Sequence, residues 1–268
     1  MSKRLKLPEL TLCAAASVNV EATLRALEHC LRVCDFGDAI FFTHQKPEKL
    51  PVNLKWIEIP QLRSSQDYSR FVLHGLGQSI TTSHCLIVQW DGFIVDPDAW
   101  EDAFLEHDYI GASWPQFSDG HDVGNGGFSL RSKRLLDACQ TSGFVYAEEA
   151  EDLLIARRNR VWLESEHGMR FADQALANNF SFERSRTADR SFGFHGVFNL
   201  PTVVGADGFW EIYCELDDRH TVWTDFGLLL RELLGAGTAR LKRSARFVFD
   251  WAIFALTQRR RKSAASRR

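Results

Sequence analysis

Cys85-Leu86-Ile87-Val88-Gln89-Trp90-Asp91-Gly92-Phe93 is the stretch on which the fold turns. Four consecutive apolar residues read as a strand buried on both faces, as in a central parallel strand. Asp91-Gly92 then stops it. Upstream, Leu10–Ala16 reads as a first buried strand, Ala39–Thr43 as a second and Leu54–Ile59 as a third. Asn19 is placed to cap a helix running to about Cys34, with Leu24, Leu27 and Leu31 on one face. Asp67 is placed to cap a second helix, in which Tyr68, Phe71, Val72, Leu76 and Ile80 keep helical spacing. Strand and helix alternating at this rhythm predict βαβ units, hence an α/β fold with a mostly parallel central sheet. Such sheets bind ligands beyond the carboxyl ends of their strands, so chemistry is sought after Ala16, Thr43 and Val88.

The 268 residues are 45% apolar, with twenty Phe and eight Trp, which supplies a sizeable core and excludes disorder over most of the length. Six scattered cysteines form no CxxC pair, and the reading is of reduced thiols in a cytoplasmic protein. The opening segment is basic but has no apolar core, so it does not read as a secretory signal, and no long apolar run suggests a membrane span. The net charge of −3 hides an asymmetry: from Arg240 onward there are ten Lys or Arg against one acid, a net of +9, which leaves −12 for the rest. An acidic body argues against nucleic acid as its partner and for a separate role of the basic end.

Four clusters carry candidate chemistry. Asp91-Gly92 at a strand end suits a divalent cation, and suits an ordinary turn equally well. Val123-Gly124-Asn125-Gly126-Gly127-Phe128-Ser129-Leu130-Arg131 lets backbone approach a ligand closely, yet is compatible with a plain glycine turn and is no phosphate loop of the GxxxxGK type. In Glu148-Glu149-Ala150-Glu151-Asp152, the first two acids read as a solvated helix start. Glu151 and Asp152 directly precede an apolar run and are better placed to point inward as a general base. Phe192-Gly193-Phe194-His195-Gly196 holds a histidine that reads as a core residue or as a ligand. No HExxH, Cys/His spacing or GxSxG supports a zinc site or a hydrolase elbow.

Taken in order over about residues 8 to 200, these clusters, with Asp67-Tyr68-Ser69-Arg70-Phe71 and Tyr109-Ile110-Gly111-Ala112-Ser113-Trp114-Pro115, resemble a poorly characterised microbial glycosyltransferase-like family similar to GT-A glycosyltransferases. The resemblance implies a single GT-A-like, Rossmann-like domain over residues 8–224. It implies transfer of a sugar from a nucleotide-sugar donor to a glycan or lipid-linked acceptor hydroxyl, in polysaccharide or glycolipid assembly, with Mn²⁺ or Mg²⁺. Asp91, as the main ligand, and His195 would hold the metal; Gln89, replacing the first acid of the family's Asp-X-Asp, would touch ribose or water, and Trp90 would line the donor beside it. Asn125, Gly126 and Gly127 would line the donor. Ala15, Ser17, Asn19 and Thr43 would form the nucleotide pocket, and Arg70 would pair with the diphosphate. Asp152, with Glu151, would deprotonate the acceptor, which implies inversion. A metal-dependent nucleotide-sugar hydrolase or phosphoryl-transfer enzyme, and a non-catalytic sugar-nucleotide-binding module, are the alternatives.

Residues 225–268 leave the α/β rhythm. Phe226–Leu234 and Phe247–Leu256 are apolar helices separated by the basic Arg240, Lys242, Arg243 and Arg246, and Arg259-Arg260-Arg261-Lys262 follows. This pattern suits peripheral docking on an anionic membrane, and equally a helix packed on protein with a basic end.

Overall fold

The computed structural model describes residues 4–186 and 188–265; Met1–Lys3, Thr187 and Ser266–Arg268, the last three within the basic tail, lie outside them. The chain falls into two compact units, Met1–Gly196 and Val197–Arg268. Residues 197–224, which the sequence reading groups with the sheet, therefore cluster with the C-terminal helices.

The first unit is α/β. Its strands β1 (Leu5–Ala15), β2 (Cys34–Thr43), β3 (Lys55–Glu58), β4 (His84–Ile87), β5 (Tyr109–Ile110) and β6 (Ser129–Ser132) form one sheet in the order β3-β2-β1-β4-β6-β5. The first four run parallel, with Leu12 opposite both Ala39 and Leu86; β6 alone runs against its neighbours. A separate parallel pair joins β7 (Ser181–Phe182) and β8 (Gly193–Phe194).

Alternation along the strands sends Cys13, Ile40, Phe42, Cys85 and Ile87 to one face, where Val72, Leu76 and Ile80 cover them. Helix α1 (Val20–Val33) buries Leu24, Leu27 and Leu31, as their spacing predicts. Each such leucine contributes about 1.5–3 kcal/mol by leaving water.

The caps differ from the sequence reading. Asn19 does stand at the N-cap of α1, but at φ 53°, where its side chain makes no capping hydrogen bond. A capping side chain works from extended backbone, and the left-handed turn redirects it. Helix α2 (Ser65–His74) is capped by Ser64, not Asp67: Ser64 Oγ accepts from the Asp67 N–H at 3.1 Å, and the Asp67 carboxylate accepts from the Arg63 N–H at 2.9 Å. Hydroxyl and acid thus each take one backbone N–H at the helix start. The helix closes at His74; a 3₁₀ turn over Leu76–Ser79 presents Leu76, and Ile80 lies beyond it.

After β6 come α3 (Lys133–Ala138), the short α4 (Glu151–Leu153) running into one π-turn over Leu154–Arg158, α5 (Arg160–His167) and α6 (Gln174–Phe180).

The second unit holds α7 (Leu200–Glu215), interrupted at Gly205, then α8 (Phe226–Gly235) and α9 (Arg240–Ala265). Phe209, Tyr213 and Phe247 are fully buried, and Phe226 stacks on both Phe247 and Trp251. The basic stretch that the sequence reading places between two helices is the start of α9 itself. Arg and Lys are good helix formers, and Arg243 and Arg246 are held by Asp207 and Asp250. Among the described residues no helix is long and apolar enough to cross a membrane. All six cysteines are free thiols.

Leu27 is fully buried, so Leu27→Ala is predicted to cost about 2–5 kcal/mol in urea denaturation. Ser64→Ala, which loses one cap, is predicted to cost about 1 kcal/mol.

Candidate functional site

From β1 the chain steps outward through β2 and β3, then returns to place β4 on the other side of β1. The carboxyl edge between β1 and β4 is therefore a topological switch point, where open α/β sheets bind ligands. Because β6 is antiparallel, with Ser129 opposite Ile87, its entry loop reaches the same edge. Two distant pieces of sequence, 88–92 and 124–128, meet there.

Gln89 and Gly92 exchange backbone hydrogen bonds at 3.2 and 3.1 Å, so Asp91 sits in a tight turn, and its side chain is buried. The turn reading of Asp91-Gly92 thus describes its backbone. The Gly196 N–H donates to the Asp91 carbonyl at 2.9 Å and the Phe194 N–H to the Phe93 carbonyl at 3.3 Å, which lays the His195 segment along the turn.

His195 Nε2 faces Gln89 Oε1 at 3.3 Å and Asp91 Oδ1 at 3.6 Å. On its other edge, Nδ1 meets Glu183 Oε1 at 3.3 Å and Asn125 Nδ2 at 3.0 Å. Burial by itself would lower the ring's pKa; Asp91, then Glu183 and Asp152, outweigh it and raise it to about 9. Asn125 pulls the other way. Its amide oxygen accepts from the Gly127 N–H at 2.9 Å, which points its NH₂ at Nδ1 and suits an unprotonated nitrogen there. The carboxylates outnumber that one amide, so the pocket favours positive charge.

Asn125 occupies left-handed backbone at φ 70°, a region asparagine tolerates better than most residues. Its carbonyl accepts from the Tyr109 hydroxyl at 3.0 Å. The neighbouring glycines make room for the protein's own side chains: a Cβ on Gly127 would stand 2.0 Å from His195 Nε2, and one on Gly126 2.0 Å from Glu151 Oε1. The glycine run, read from sequence as space for a ligand, is first of all space for His195 and Glu151.

The two acids at the start of α4 have different surroundings. Glu151 is buried and bonds the fully buried Arg131 at 2.9 Å. Asp152 is half-buried and accepts from the Gly126 N–H at 3.1 Å and the Leu153 N–H at 2.8 Å. Burial, with the Glu151 charge adding to it, raises the Asp152 pKa to about 6. Glu148 and Glu149 stay outside this network; Glu149 pairs with Arg158 at the surface.

The residues assigned to the nucleotide lie along the same sheet edge. Ala15 ends β1, and Ser17 Oγ accepts from the Leu62 N–H at 2.9 Å. Thr43 ends β2 with its hydroxyl buried and without a hydrogen-bond partner. Trp90 is half-buried in the turn. Arg70 is exposed on α2, with its guanidinium 5.9 Å from the Tyr146 ring. Sequence reasoning missed Glu183, Tyr109 and Arg131. Arg131 carried a signal as the charge that closes the glycine run, and Tyr109 as the first residue of the quoted Tyr109–Pro115 motif; Glu183 carried none.

Among the described residues no group of three or more His, Cys, Asp or Glu side chains is placed to hold a metal ion. Asp91 and Glu183 address opposite nitrogens of the His195 ring, which is why the carboxylates do not converge on one point. The Nε2 side nevertheless offers two oxygens, from Asp91 and Gln89, and the ring nitrogen. That set fits a divalent cation completed by phosphate oxygens and water.

Arg131→Met would strand Glu151 as a buried, unpaired charge, with a predicted loss of about 3–5 kcal/mol in chemical denaturation. The double variant Arg131→Met/Glu151→Leu is predicted to recover most of that loss.

A solved structure described as the crystal structure of a glycosyltransferase involved in the glycosylation of the major capsid of PBCV-1 aligns with a TM-score of 0.42 and 9% identity, over 90% of this chain and 98% of that one. No curated protein matches the chain. Residues 51–195 match a family described as "Protein of unknown function (DUF5672)". That span holds Gln89, Asp91, Asn125, Glu151, Asp152, Glu183 and His195, and the chain belongs to this family.

Proposed function

We propose that the protein is a divalent-cation-assisted glycosyltransferase that moves a sugar from a nucleotide-sugar donor to an acceptor hydroxyl. The observation that carries this reading is the convergence, at the switch point, of a cation-favouring pocket (Asp91, Gln89, His195) with a carboxylate of raised pKa, Asp152, on the adjoining glycine loop. The order of the sequence motifs, similar to GT-A glycosyltransferases, supports it independently.

Asp91, Gln89 and His195 would hold Mg²⁺ or Mn²⁺, which when bound supplies positive charge to the donor diphosphate. The rest belongs to the chain's own residues. The carboxyl edge of β1 and β2, from Ala15 to Asn19 and at Thr43, receives the nucleoside. Asp152 takes the proton of the acceptor hydroxyl. The oxygen so released bonds to the anomeric carbon, while the bond from that carbon to the diphosphate oxygen breaks and its electron pair leaves with the diphosphate. Displacement from the face opposite the leaving group inverts the anomeric centre. Glu151 does not share the proton transfer: its carboxylate is committed to Arg131, and it fixes the helix start from which Asp152 projects.

A nucleotide-sugar-binding module without turnover is the second reading, favoured by Gln89 standing where an acid would strengthen cation binding.

Thermal-shift measurement with UDP-, GDP-, CMP- and dTDP-sugars, each with Mn²⁺ and with EDTA, tests the donor site. One nucleotide class is expected to raise the melting temperature only with the cation; no rise with any of them in a cooperatively melting protein overturns the proposal. With the donor class known, Asp152→Asn is expected to lower kcat by about 10²–10⁴-fold while leaving that shift in place. Because the base must be ionised, the rate is expected to rise with pH through about 6 and level off above it.

A further inference from the structure

Helix α9 is apolar on two opposite sides. One side is the core of the C-terminal unit: Phe247 is fully buried, and Phe254 packs on Trp223. The other side is not covered. Leu241, Val248, Phe249, Ile253 and Leu256 are between 40% and 73% exposed. Leu241, Ala245, Val248, Ala252 and Leu256 recur at steps of three and four, so they form one continuous stripe. Fifteen steps of helical rise, from Leu241 to Leu256, make that stripe about 22 Å long.

Charge identifies what covers it. Lys242 and Arg246 border the stripe on one side and Arg259 stands at its end; all three are exposed. The sequence then runs Arg260-Arg261-Lys262. The one acid of the helix, Asp250, is turned to the inner side, where the Tyr213 hydroxyl donates to it at 2.8 Å and Arg246 and Arg219 pair with it. The outward side thus combines large apolar side chains with basic ones and no acid. A second copy of the chain would bring two such positive edges together, which their repulsion opposes. A surface that is apolar inside and negatively charged at its rim complements both properties at once.

We propose that α9 is an interfacial helix that docks the protein on an anionic lipid surface, with Phe249, Val248 and Leu256 entering the acyl boundary and Lys242 and Arg259 meeting the headgroups. The helix lies in the plane of the surface and does not cross it. Trp251, stacked on Phe226 and 37% exposed, sits at the boundary between the apolar and polar layers. The inference is independent of the glycosyltransferase reading, since it uses no residue of that site.

Flotation of the full-length protein tests it, with vesicles of phosphatidylcholine alone and of phosphatidylcholine mixed with phosphatidylglycerol. The protein is expected to float with the mixed vesicles, to remain below with the neutral ones, and to be released by high salt. Phe249→Glu/Leu256→Glu is expected to weaken flotation by at least about tenfold. Both positions are exposed, so the variant's circular dichroism and melting temperature are expected to match those of the native chain. No flotation with anionic vesicles, or equal flotation of the variant, overturns the proposal. So does a concentration-dependent dimer in light scattering that the same variant abolishes, because the stripe would then belong to a second copy.

Discussion

Arg131 and Glu151 form an ion pair with almost no access to water, and the candidate site is assembled around it. Arg131 lies on β6, directly after the glycine loop, and Glu151 opens the helical segment that carries Asp152. Two charges withdrawn from water hold their geometry because separating them leaves either one unsolvated. The pair therefore sets the distance between loop and helix start, and the Gly126 N–H closes on Asp152 across the same gap. Gly126 has to be glycine there, since any side chain would displace Glu151. Tyr109 extends the arrangement, its ring 5.4 Å from the Arg131 guanidinium and its hydroxyl on the Asn125 carbonyl.

From Asn125 the connection continues to His195, and through His195 to Gln89, Asp91 and Glu183. A single set of contacts thus joins the end of β4, the entry to β6, the start of α4 and the segment after β8. Its charges are not balanced within itself. Asp91, Glu183 and Asp152 act on one imidazole, and that surplus favours a proton on His195; in the proposed function it would equally favour a cation at Nε2. Burial first, and then the charge of Glu151, raises the Asp152 pKa to about 6, which in the proposed function suits it to act as a base near neutrality.

The parallel half of the sheet was legible in the sequence because β4 and the C-terminal halves of β1 and β2 are mainly apolar, and α1 because Leu24, Leu27 and Leu31 keep one face. Asp91, Asn125, Asp152 and His195 could be picked out because each stands beside glycine or at the edge of an apolar run. Glu183 could not, since it lies in an irregular segment with no periodicity and reaches His195 only through the pairing of β7 with β8. The role of the glycines was also hidden. Glycine announces that something comes close, but not whether it is a ligand or the protein's own histidine. The cap of α2 was misplaced by three residues because Ser64 Oγ takes the Asp67 N–H while the Asp67 carboxylate takes the Arg63 N–H, and the acid is the more conspicuous of the two. In the C-terminal unit the basic residues looked like a break, although their hydrogen-bonded partners, Asp207 and Asp250, allow the helix to begin with them.

The proposed cation site of Asp91, Gln89 and His195, completed by a diphosphate, can be read by electron paramagnetic resonance of Mn²⁺ titrated with the protein, with and without a nucleoside diphosphate. The free-ion signal is expected to fall steeply only when protein and nucleoside diphosphate are both present, and Asp91→Ala is expected to abolish the added loss. A signal that does not respond to the protein, or that responds equally in Asp91→Ala, would contradict it.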